Sequence, residues 1–211
     1  MLGTRPDIAF AVTKFAQHVA NPSKKHLDKV KYVLRYLAST AKYALVYNGA
    51  SNKGLIAYTD SDYVADLVKG WSTTGYLLKL ADGIISWQSR VQKTIALSAT
   101  EAECMALSDC SWQVVWIQNI FTELGFPVEM TQICTDNKGG IFIASNPVQE
   151  QCTKQIDVQF HYVCDLIEQK WIDVIIVSTD ENSADMFTKN LGNIKFEKFR
   201  GMLGLEFYLS W

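Results

Sequence analysis

The sequence predicts an α/β fold in which a mixed sheet is packed against helices. Hydrophobic spacing is helical up to about residue 40. Strand-like runs and a hairpin follow the turn-rich "NGASNKG" at 48–54, and beyond residue 100 helices alternate with single strands.

Each element has its own signal. Residues 5–20 read as a helix, with Pro6 in its first turn and Ile8, Phe10, Val12, Phe15 and Val19 on an apolar face. "NPSKKH" breaks it, and 24–39 read as a second helix. Residues 55–59 are a strand, 74–80 and 84–88 form a hairpin around "ADG", and 94–98 are a further short strand. A long helix is expected over 100–124, with Thr100 as its cap. Then come a strand at 133–135, a short helix at 138–145, a helix at 154–170 and a β-branched strand at 172–179. Helices at 182–190 and 193–202 close the chain.

Composition narrows the class. Of 211 residues, 48% are hydrophobic and 12% aromatic, enough for a real core and against disorder. Apolar stretches fall well short of the ~20 residues a membrane span needs, and the start lacks a signal-peptide centre. No membrane partner is therefore expected, and the chain is expected to be intracellular. Five cysteines without a C-x-x-C pair argue against a disulfide framework or a structural zinc. The net charge of −2 is not that of a simple nucleic-acid binder, but residues 1–54 hold nine basic against two acidic side chains. A basic front joined to an acidic body suggests two modules.

The acidic body holds the chemistry. "YTDSDYVAD" puts three aspartates directly after an apolar run, where crowded carboxylates must face water or a positive partner. Asp60 is expected at the end of the first strand and Asp136 at the end of "QICT". In an open α/β sheet, ligands gather at the carboxyl ends of strands. Glu103 leans towards the sheet side of the long helix, with Glu101 nearer solvent, and Asp185 falls in the first turn of the helix after the last strand. Four carboxylates at one sheet edge form an oxygen-rich site for hard divalent cations. Two such ions bridged by an aspartate cleave phosphodiesters. A single aspartate at a strand end is more often a turn or cap residue; the joint pattern of four points to a site.

Six blocks, "YTDSDYVAD", "STTGYLLKL", "ISWQSRVQKTIALSATEAECMAL", "CTDNKGGIFIASNP", "IDVQFHYVCDLIE" and "NSADMFTKNL", resemble in order and spacing the end of the Pol polyprotein of copia-type LTR retrotransposons. The resemblance implies an RNase H-like fold, a five-stranded mixed sheet flanked by helices, over residues 51–191. Residues 1–50 resemble the thumb and connection helices that end the reverse transcriptase, and 192–211 are a C-terminal tail. It further implies hydrolysis of the RNA strand of RNA–DNA hybrids by two Mg²⁺ ions (Mn²⁺ as substitute) held by Asp60, Glu103, Asp136 and Asp185. Asp62 and Glu101 stand as second candidates beside Asp60 and Glu103. Partners implied are the hybrid and the palm and fingers of the reverse transcriptase in the full polyprotein. The expected location is a cytoplasmic virus-like particle or the nucleus.

Ser98, Thr100, Asn137 and Lys138 flank the site and are candidates for contacts to sugar hydroxyls or phosphates. His161 falls in a helix and is expected to be structural, and the tryptophans are expected in the core or between helices. There is no Y-x-D-D sequence, so no polymerase activity is expected and the chain reads as a fragment. The alternative function is a catalytically inactive remnant that only binds nucleic acid or a polymerase partner. A weaker third reading is another nuclease or integrase of the same fold.

Overall fold

The computed structural model describes residues 3–47, 50–51, 53–66, 70–126, 129–137 and 154–208. Pro6–Ile8 form a 3-10 turn that leads into α1 (Ala9–Ala16), and α2 is Lys24–Ser39. The helix expected over 5–20 is thus shorter, because the chain breaks into turns ahead of Asn21-Pro22. A reciprocal cap starts α2: Ser23 accepts from the His26 amide, and the Ser23 amide donates to His26 Nδ1.

Five strands make the main sheet: β2 (Ile56–Asp66), β3 (Trp71–Leu80), β4 (Gly83–Val91), β5 (Thr131–Thr135) and β6 (Ile172–Ile176). Their order is β4-β3-β2-β5-β6, with β2, β3 and β4 antiparallel and β2, β5 and β6 parallel. Ala81 and Asp82 take positive φ and close the β3–β4 hairpin. The parallel pairs are linked through α3 (Ala99–Glu123) and α4 (Lys154–Glu168). These helices bury Leu107, Cys110, Val114, Val163 and Leu166 against Ala57, Leu78 and Ile133 on one face of the sheet.

The other face is covered by the two ends of the chain. A 3-10 turn (Ser183–Phe187), α5 (Asn193–Met202) and Ala9 of α1 bury Phe187, Phe199 and Leu203 against Leu77 and Ile84. Here β1 (Tyr43–Leu45) pairs antiparallel with β7 (Leu205–Phe207), joining the front segment to the tail. Among the described residues this pair was not expected, since three-residue strands are too short to show a period.

Three expectations need correction. No strand forms at 94–98; Ile95 and Leu97 are exposed, and the segment is an irregular lead-in to α3. The cap of α3 is Ser98, which accepts from the Glu101 amide at 3.2 Å, and Thr100 lies inside the helix. Trp112 and Trp116 are largely exposed on α3, although Trp112 stacks on Tyr162 of α4 at 4.6 Å. Cys104, Cys110 and Cys134 are buried, as small hydrophobes are. The short helix expected at 138–145 lies outside the described residues. No described helix is long and apolar enough to cross a membrane.

Candidate active site

The parallel register of β2 and β5 builds the site. Ile56 pairs with Gln132, Ala57 with Ile133 and Tyr58 with Cys134. Two steps further on, the same register sets Asp60 level with Asp136. Asp136 follows the last residue of β5, as expected. Asp60 does not end its strand. β2 continues to Asp66, and Asp60 pairs with Gly75 of β3 while its pairing to β5 has stopped. The strand therefore has a free flank at the level of Asp60, and that flank is where the acids collect. Further on, Val64 takes a positive φ and the ladder slips between Asp62 and Asp66.

Side-chain alternation fixes the directions of approach. Asp60 lies on the same face as Tyr58, towards the 3-10 turn that carries Asp185. Gly75, opposite Asp60, lets that turn come close: a Cβ there would lie 2.6 Å from Thr188 Cγ2 and 2.8 Å from Phe187 Cβ. Carboxylate oxygens of Asp60, Asp136 and Asp185 all lie within 4.8 Å of one another. Glu103 comes from α3 on the opposite face and is not within that group. Its Oε1 accepts from the Ser61 amide at 3.4 Å, while its Oε2 is buried without a partner.

The electrostatics record the crowding. Burial, with the Asp185 charge in support, pushes Asp60 up to about 7 despite the nearby Lys189. Burial, then the charges of Asp60 and Asp136, push Glu103 up to about 8. Asp62 is raised as well, chiefly by burial.

Several partners had not been singled out from the sequence. Lys189 Nζ lies 3.0 Å from Asp60 Oδ1 and 2.7 Å from Asp185 Oδ1, and Lys195 Nζ lies 2.7 Å from Asp185 Oδ2. The Thr188 hydroxyl donates to Asp60 Oδ2. Asn182, fully buried, donates to the Thr59 carbonyl at 3.0 Å and to Asp136 Oδ1 at 3.1 Å, which ties β2 to the end of β5. The one signal available was the four-residue spacing of Asp185 and Lys189, which places opposite charges on neighbouring turns.

Other expected residues fall as follows. Glu101 is not turned to solvent: its Oε2 accepts from the Leu97 amide at 2.7 Å and it helps cap α3. Ser98 is engaged in the same cap, and Thr100 is half-buried in the first turn. The Asn137 amide donates to Thr135 Oγ1 at 3.3 Å. Lys138 lies outside the described residues. His161 is exposed on α4. A groove of about 620 Å³ opens beside the cluster between α2 and α5, with Lys29, Tyr32, Lys189, Asn193 and Arg200 in its walls.

A divalent cation fits this donor set. The ligands are hard oxygens, burial above all holds the Asp60 and Glu103 carboxyls well above their ordinary range, and one buried oxygen of Glu103 has no partner.

The fold is α/β, a five-stranded mixed sheet flanked by helices, with acids gathered where its parallel strands end. The Pol polyprotein of transposon TNT 1-94 from Nicotiana tabacum is 38% identical over 206 residues, covering 98% of this chain and 15% of that protein. The Pol polyprotein of transposon RE1 from Arabidopsis thaliana is 34% identical over 205 residues, covering 96% of this chain and 14% of that protein. The chain belongs to this family of retrovirus-related, copia-type transposon Pol polyproteins, and spans about one seventh of the length of these two relatives. A solved structure, LC11-RNase H1 isolated from compost, is similar at a TM-score of 0.49 and 13% identity, over 69% of this chain and 96% of that one. No family model matches.

Proposed function

We propose that the chain is the ribonuclease H region of a retrotransposon Pol polyprotein and hydrolyses the RNA strand of RNA–DNA hybrids. The observation that carries this is the approach of Asp60, Asp136 and Asp185 to within 4.8 Å at the open end of the parallel strands. On this reading Asp60, Glu103, Asp136 and Asp185 hold two Mg²⁺ ions, or Mn²⁺ in their place. Bound there, the ions supply an activated water and charge stabilisation for the leaving oxygen. The chain's own residues do the positioning. Asn182 orients Asp136, the Ser61 amide steadies Glu103, and Thr188 fixes one oxygen of Asp60. Lys29 and Arg200 give the largely apolar groove beside α2 positive charge that suits a phosphate, next to the acids Asp7 and Glu197. Ser98, Thr100, Asn137 and Lys138 are assigned to sugar and phosphate contacts.

The accompanying division gives residues 1–50 to the end of the reverse transcriptase, 51–191 to the nuclease and 192–211 to a tail. The polymerase palm and fingers of the full polyprotein would help to grip the hybrid. The work would take place inside the cell, in a virus-like particle or the nucleus.

One observation favours the second reading, an inactive remnant that only binds. Lys189 and Lys195 already neutralise Asp60 and Asp185. Incubation of the chain with a labelled RNA–DNA hybrid in Mg²⁺ or Mn²⁺ separates the two. Cleavage is expected, and Asp136→Asn is expected to lower it by at least about a hundredfold. Binding without cleavage by the wild type would favour the remnant.

A further inference from the structure

The lysines in the acidic cluster pose a question of their own. Asp60 and Asp185 have four carboxylate oxygens between them, and all four are engaged. Asp60 Oδ2 accepts from Thr188, and Asp60 Oδ1 and Asp185 Oδ1 both face Lys189 Nζ, at 3.0 and 2.7 Å. Asp185 Oδ2 faces Lys195 Nζ at 2.7 Å. Lys189 is the bridging member, and its ammonium stands between the two aspartates that flank the site. A cation shared by Asp60 and Asp185 needs those same oxygens. Meanwhile Glu103, 8% exposed, keeps Oε2 buried and unpartnered beside the cluster, a donor still to be used.

Lys189 also has somewhere to go. Its side chain is 35% exposed, and it forms part of the wall of the groove between α2 and α5. Its four-carbon stem can carry the charge out into that groove at little steric cost. Lys195 pairs with Asp185 at 2.7 Å and, more loosely, with Asp180 at 3.9 Å, and leaves the bridge between Asp60 and Asp185 to Lys189.

We infer that Lys189 is a resident counter-cation that holds Asp60 and Asp185 together in the metal-free protein and must be displaced when a divalent cation enters. It is a positioning residue that sets the threshold for cation entry. Two opposed effects follow. The ammonium stabilises the empty site, because like charges a few ångströms apart repel strongly when buried. It also competes with the incoming cation for the same oxygens, so binding is weaker than the four acids alone would give. The inference rests on the proposed cation site.

The test is a Mn²⁺ titration of the full chain by calorimetry, comparing wild type, Lys189→Met and Lys195→Met. Lys189→Met is expected to bind Mn²⁺ on the order of tenfold more tightly and to melt at a lower temperature than wild type in EDTA. Lys195→Met is expected to change affinity less. Equal or weaker binding by Lys189→Met overturns the inference and leaves the cation site standing. No Mn²⁺ binding by any of the chains overturns both. A second measurement needs no variant: acetylation of Lys189 in the wild type, followed by mass spectrometry with and without Mn²⁺. Faster labelling with Mn²⁺ is expected, and an unchanged rate overturns the displacement.

Discussion

Asp136 depends on Asn182. The amide of Asn182 reaches both the Thr59 carbonyl and Asp136 Oδ1, so one side chain sets the distance between the two central strands where the acids meet. Its Oδ1 in turn accepts from the Ala184 amide, which fixes the start of the turn that carries Asp185. Residues that orient ligands in this way matter nearly as much as the ligands do. Asn182→Ala is expected to lower Mn²⁺ affinity and hybrid cleavage by about 10- to 100-fold while the chain stays folded. Unchanged affinity would reduce Asn182 to a packing residue. At this scale the sequence was half legible. Asp136 could be read because its strand visibly stops before it. Asn182, Thr188 and Lys189 could not be ranked, because Thr59, Asp136 and Asp60 lie in remote segments and no local period marks a long-range hydrogen bond; Lys195 and Lys189 stand near Asp185 in sequence, but that alone does not set them apart from any surface ion pair.

The turn Ser183–Phe187 works as an element only because Gly75 leaves room for it. A methyl group at 75 would press on Thr188 and Phe187, and the Ala184 carbonyl would lie 3.1 Å away. Flat contact between a strand and a 3-10 turn puts Asp185 and Asp60 on the same lysine. Gly75→Ala is therefore expected to cost about 1–3 kcal/mol in urea unfolding. It is also expected to weaken Mn²⁺ binding, since the turn must shift to relieve the overlap. A variant of unchanged stability and affinity would show that the turn does not need this approach. The misplacement of Asp60 at a strand end has the same origin. "AYT" ends the apolar run, but β2 goes on for reasons outside its own sequence: β3 supplies partners from Thr73 to Lys79 across from it. Polar residues persist in the strand because their face meets the cluster. The strand expected at 94–98 does not form: small Ala96 is buried while the larger Ile95 and Leu97 are exposed, and the segment runs directly into the Ser98 cap of α3.

On the scale of the whole molecule, the two ends of the chain close over one face of the sheet. Arg5 bridges Asp7 and Thr40, Tyr36 donates to Asp7 at 2.6 Å, and Arg200 of α5 sits over the Tyr43 ring. The basic front and the tail, separate in sequence, thus share one core with Leu77 and Ile84. Nothing local could show this, because β1 and β7 lie at opposite ends of the polypeptide. The seam has a pH signature. Burial, with the hydrogen bond to Asp7 in support, raises the Tyr36 phenol from 10.0 to about 12. Its folded value lies above its unfolded one, so its contribution is complete below about pH 10 and is lost as pH rises towards 12. Thermal melts from pH 9 to 12 are expected to show a steeper alkaline decline in wild type than in Tyr36→Phe. Parallel declines would remove Tyr36 from the seam.

The most direct measurement is anomalous scattering from crystals of the full chain soaked in Mn²⁺. The expected result is manganese held among the carboxylates of Asp60, Asp136 and Asp185, with Glu103 turned towards it and Lys189 withdrawn into the groove. Manganese bound only elsewhere, or a cluster that excludes it with Lys189 still in place, would contradict the assignment of these four acids to a cation site.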